Sequence, residues 1–102
     1  MRNIYLILTE QYMPNIPNHA PVGDVEFAFS SEKKAQNQMD KLVELINKGK
    51  WWIKGKHTIV KDYTYPENNC FGFKRFIRIE HDNGTYTIYT LQKVELNHSY
   101  GL

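Results

Sequence analysis

The run FGFKRFIRIEHDNGTYTIYTLQKVEL, residues 71–96, decides the fold. Asp82-Asn83-Gly84 separates two stretches rich in β-branched and aromatic residues, and Asn-Gly is the favoured centre of a two-residue hairpin turn. The spacing predicts strands over 71–81 and 85–96. A turn on Asn83-Gly84 sets Asp82 opposite Thr85 and His81 opposite Tyr86. Counting outward, Ile79–Ile88, Ile77–Thr90, Arg75–Gln92 and Phe73–Val94 share one face. Glu80–Thr87, Arg78–Tyr89, Phe76–Leu91 and Lys74–Lys93 share the other, because opposed residues point the same way. The more aliphatic first face is expected beneath a helix. The second, with Lys74, Arg78 and Lys93 among Phe76, Tyr89 and Leu91, is a candidate interaction surface. Lys74 opposite Lys93 is unfavourable alone and would suit an anionic partner or splayed, solvated lysines.

Upstream, residues 51–65 have strand composition, with a break or bulge at Gly55 and a turn at Pro66. Adjacent Trp51 and Trp52 on a strand point to opposite faces, so one is expected in the core and the other outside or covered by a loop. Lys48, Lys50, Lys54, Lys56 and Lys61 surround them as a second basic cluster. Trp51, Trp52, Lys54 and Lys56 therefore join the candidate binding residues.

Before that, Ser30-Ser31-Glu32 opens a helix, with serine as cap and glutamate in the positive first turn. Ala35, Met39, Leu42, Val43 and Ile46 form one apolar stripe, and Gly49 ends the helix near residue 48. Residues 24–29 alternate, with Val25, Phe27 and Phe29 on one side. Residues 3–10 are apolar on both alternating sets, which marks a central strand. Residues 12–21 hold three prolines and form a long loop. It either presents Tyr12, Met13 and Ile16 to a partner or folds Ile16 onto the core edge. The order is ββαβββ. It implies an α+β fold with a single helix on a four- to five-stranded, mostly antiparallel sheet; a β-grasp-like arrangement is the alternative. One domain spans 1–96, and 97–102 form a tail.

The 102 residues suit one core, and the aromatic share of 14% is high for that length. Residues 1–47 carry four Lys/Arg against six acids, and residues 48–102 nine against five. The basic half can attract polyanions. The lone Cys70 allows no internal disulfide, which fits a reducing cytoplasm, and is expected in or near the core. The apolar run Ile4–Leu8 is too short for a leader-peptide core or a membrane span, so no membrane association is expected. There is no Gly-rich phosphate loop, zinc-ligand spacing or nucleophile elbow. No cofactor, metal or catalytic residue is therefore expected. His57 and His81 lie on separate predicted strands and can approach. With Arg78 and Tyr86 nearby, they would make an RNase-like acid/base pair, the minority reading.

Val25-Glu-Phe-Ala-Phe-Ser-Ser-Glu-Lys-Lys-Ala-Gln, followed by one amphipathic helix, resembles small accessory proteins encoded by phages and prophages. The resemblance implies a mobile-element protein that binds and inhibits a host factor, such as a CRISPR effector. The expected function is a non-enzymatic protein-binding module. Nucleic-acid binding through a basic aromatic sheet face is the alternative, and a homodimer through an uncovered face is a further possibility.

Overall fold

Apolar residues on both sides of one strand demand neighbours on both edges, and β1 (Arg2–Tyr12) has them. In the computed structural model, which describes residues 2–12, 22–51 and 55–96, β1 pairs antiparallel with β2 (Val22–Phe29) and with β5 (Tyr86–Leu96). β5 pairs in turn with β4 (Phe73–His81), and β4 with β3 (His57–Thr64). The five antiparallel strands run β2-β1-β5-β4-β3, with α1 (Glu32–Asn47) inserted between β2 and β3 in the chain. The chain is thus an α+β fold in the expected ββαβββ order.

Helix α1 begins where Ser31 Oγ accepts the Lys34 N–H at 3.4 Å, which satisfies one orphan donor of the first turn. It stops at Gly49, whose φ of 67° a side chain would disfavour. Its stripe of Ala35, Met39 and Ile46 is buried against Ile7, Ile77, Ile79, Tyr89 and Leu91, with Leu42, Val43, Tyr5, Phe29 and Ile59 around them. Each fully buried large side chain contributes about 1.5–3 kcal/mol of transfer free energy. The core therefore lies on one side of the sheet.

The hairpin differs from expectation by one residue. Asp82, Asn83 and Gly84 all stand in the loop: the His81 N–H donates to the Thr85 carbonyl at 2.9 Å, and the Gly84 N–H to the His81 carbonyl at 3.2 Å. Gly84 takes φ 85°, as in three-residue hairpin loops that end in a left-handed residue. The pairs become Glu80–Tyr86, Ile79–Thr87, Arg78–Ile88, Ile77–Tyr89, Phe76–Thr90 and Arg75–Leu91. Because side chains alternate, this single step turns every β5 residue to the other face. Thr87, Tyr89 and Leu91 go under the helix instead of Ile88 and Thr90.

Three bulges add one residue each: Glu26 in β2, Val60 in β3 and Lys74 in β4. The first parts Val25 from Phe27 and Phe29, which had been expected on one face. Trp51 is buried but precedes β3 instead of standing on a strand. Cys70, expected near the core, is exposed in the connection between β3 and β4. The expectations for the proline loop beyond Tyr12, for Trp52 and Lys54, and for the tail at 97–102 lie outside the described residues. No helix of the described residues is long and apolar enough to cross a membrane.

Candidate functional site: the outer face of the sheet

The alternation that buries Ile7, Ile77, Ile79, Tyr89 and Leu91 under α1 sends their neighbours to the opposite side. Read across the strands from β2 to β3, one row is Gly23–Glu10–Ile88–Arg78–Lys61. The next is Val25–Leu8–Thr90–Phe76–Tyr63, and the next Ala28–Leu6–Gln92–Phe73. Among the described residues α1 is the only helix, and it lies on the other side. The centre of this outer face is thus aliphatic and has no layer of described residues above it.

Its β3–β4 border is aromatic. Ring centroids of Phe71 and Phe73 are 5.9 Å apart, Phe73 and Tyr65 5.5 Å, Tyr65 and Phe76 6.0 Å, and Phe76 and Tyr63 6.0 Å. Lys61 Nζ stands 5.5 Å from the centroids of both Tyr63 and Phe76. Arg78 Cζ sits 4.0 Å over Tyr86, which stacks on Tyr12 at 4.6 Å. These cations rest on ring faces, where the π quadrupole stabilises them. Arg78 Nη2 also donates to Glu80 at 3.2 Å, while its buried Nε has no partner among the described residues. Tyr12 donates to the Glu10 carboxylate, and that bond chiefly pushes its hydroxyl pKa up to about 12. The strands place Arg2, Lys61 and Arg78 on this face against Glu10 and Glu80, so its charge is nearly balanced.

Of the residues the sequence nominated, Phe76 and Arg78 stand on this face. Tyr89 and Leu91 do not: both are buried beneath α1 by the register step. Lys74, as a bulge residue, turns to the helix side, 3.9 Å from Glu32. Lys93 lies on that side too, beside Tyr5 in the ladder and 3.9 Å from Glu95. The six side chains expected to project together are therefore split between the two faces. The strained Lys74–Lys93 pairing is also relieved, because the register step at the turn ends their direct opposition and the bulge leaves Lys74 without a partner in the ladder. Trp51 is buried, and Lys56 is exposed with its backbone N–H on Asp82 at 3.2 Å.

Leu6, Leu8, Ile88, Tyr63 and Phe73 were not singled out. For Leu6 and Leu8 the signal was present in β1, whose two apolar sets need cover on both sides although only one helix stands among the described residues.

The helix side holds two further features. An open cleft of about 360 Å³ between α1 and β2 has Ile7, Met39, Leu42 and Phe27 in its walls, with Tyr89 and Glu26 beside them. Burial, then the charge of Glu26, raises the Tyr89 hydroxyl pKa. Near Trp51, His57 and His81 meet as foreseen, but Arg78 and Tyr86 stand on the opposite face. The arrangement expected of a ribonuclease is therefore not assembled. No cluster of three or more metal-ligating side chains occurs among the described residues.

No protein-family model, curated protein or solved structure matches this chain.

Proposed function

We propose that the chain is a non-enzymatic protein-binding module whose contact surface is the outer sheet face. The aliphatic centre of that face, with Leu6, Leu8 and Ile88 in adjacent strands, carries the reading. An antiparallel sheet with one solvated face ordinarily alternates apolar inward and polar outward, and β1 breaks that rule. Contiguous apolar surface with polar residues at its margin favours a protein partner, since its removal from water contributes about 25 cal/mol per Å². Phe76, Tyr63 and Arg78 are of the residue types that anchor interfaces. The resemblance of residues 25–36 to phage accessory proteins supports a host factor as the target.

The near balance of charge favours a protein over a polyanion. Nucleic-acid binding draws its affinity from cations released onto phosphates, and Lys74 and Lys93 stand on the other side of the sheet.

The test is capture from a bacterial lysate with three baits: the unaltered chain, Leu8→Lys on the outer face, and Lys41→Ala on the exposed side of α1. A protein retained by the first and third baits and lost by the second supports the reading. Equal recovery by all three overturns it, and so does the absence of any specific protein when the chain alone is also monomeric.

A further inference from the structure

We propose that the outer sheet face pairs with the same face of a second copy of this chain, forming a two-fold dimer about β5. The inference rests on the reading of that face as a protein-binding surface and names its partner.

The argument is one of symmetry. β5 is the middle of five strands, with β1 and β2 on one side and β4 and β3 on the other. A two-fold axis along β5, midway between two stacked sheets, keeps each row over itself and exchanges its two ends. β1 of one copy then lies over β4 of the other, and β2 over β3. Within the row Gly23–Glu10–Ile88–Arg78–Lys61, Glu10 meets the second copy's Arg78, Gly23 leaves room opposite Lys61, and Ile88 meets Ile88. In the next row Leu8 meets Phe76, and in the one after it Leu6 meets Phe73. In these three rows the apolar residues of β1, β5 and β4 thus face apolar ones. Glu10 on one side of the axis faces Arg78 on the other, as a self-complementary isologous surface requires. Aligned sheet packing rotates the strands by about 30°, which keeps the rows near the axis in register.

With strands about 4.8 Å apart and a rise of about 3.4 Å per residue, the three rows cover roughly 450 Å² per copy, or about 900 Å² for a pair, which is the size of a weak, reversible interface.

The test is a charge swap read by light scattering and sedimentation over a concentration series. The unaltered chain is expected at twice its 12.1 kDa. Glu10→Arg and Arg78→Glu each bring like charges together across the axis, and each alone should weaken self-association at least about tenfold. An equimolar mixture of the two variants restores both contacts in a heterodimer, so it should recover the dimeric mass. Thermal melts of each variant verify folding. A chain that stays at 12.1 kDa throughout overturns the pairing. So does a dimer indifferent to both swaps, or a mixture that stays monomeric. If the unaltered chain is monomeric while the Leu8→Lys bait alone loses a captured protein, the face binds a different partner and only the pairing falls. If Leu8→Lys changes neither mass nor capture, the underlying reading falls as well.

Discussion

His57 and His81 face each other across the β3–β4 pair with their Nδ1 atoms 2.7 Å apart, packed on Trp51. One nitrogen must donate and the other accept, so the contact requires at least one neutral ring. His81 Nε2 lies 2.7 Å from Thr87 Oγ1, a buried hydroxyl that can serve in either role.

This pair makes stability depend on pH. Burial first, then the neighbouring His57, lowers the pKa of His81, while Asp82 opposes the shift. Above the usual histidine range the ring is neutral both folded and unfolded. As pH falls through about 6.5 the unfolded chain takes up a proton that the folded chain resists, so folding stability declines. Urea midpoints should be flat from neutral to mildly alkaline pH and fall on acidification. His81→Phe should flatten the acid limb; an unchanged limb would remove His81 as its source.

The hairpin register can be read from alanine substitutions. Leu91→Ala empties a fully buried position and should cost about 2–5 kcal/mol. Ile88→Ala, on the half-buried outer face, should cost clearly less. A two-residue turn would reverse that order, so chemical denaturation of the two variants separates the registers.

Arg75 ties the helix to the edge strand β3. Its Nε and Nη2 donate to the two carboxylate oxygens of Asp62 at 2.8 and 2.7 Å, and its Nη1 donates to Asp40 at 2.7 Å and Gln36 at 3.2 Å. The bonds to Asp62 chiefly, with Asp40 adding to them against desolvation, hold the guanidinium in its charged form. A lysine cannot reproduce the fork, so Arg75→Lys should lose about 1–2 kcal/mol. A double-mutant cycle with Asp62→Asn should show coupling; additive losses would mean the pair contributes nothing jointly.

Gly72 is fixed by contact as well as by conformation. Its φ is 74°, its carbonyl accepts the Lys93 N–H at 2.7 Å, and a Cβ there would come within 2.3 Å of the Lys93 carbonyl oxygen. Gly72→Ala should therefore destabilise the chain by more than the about 1 kcal/mol of a simple glycine replacement. Hydrogen exchange should show the Lys93 amide losing protection first.

Much of the fold was legible because its signals are local. Ser31, the Ala35–Ile46 stripe and Gly49 mark the helix, and the split apolar sets of residues 3–10 mark a strand with two neighbours. On β4 the inward set was as read for Arg75, Ile77 and Ile79, but Phe73, expected with them, is turned to the outer face by the bulge at Lys74. The site was less legible because it depends on one residue of turn length. Asp82-Asn83-Gly84 suits a two- or a three-residue loop, and only the burial of Tyr89 and Leu91 in place of Ile88 and Thr90 selects between them. Lys74 was displaced by a bulge that no local composition announces. The outer face itself was foreshadowed by β1, but its members could be assigned only once the pairing was known.

The bulges in β2 and β3 have a consequence for assembly. Both are border strands, and each is interrupted midway, at Glu26 and at Val60 next to Lys61. A border irregular in this way offers no straight ladder for a further chain to extend, which is how natural sheets avoid open-ended stacking into fibrils. Growth by strand addition is thereby discouraged at either margin, and any association of this protein is steered toward closed, countable complexes.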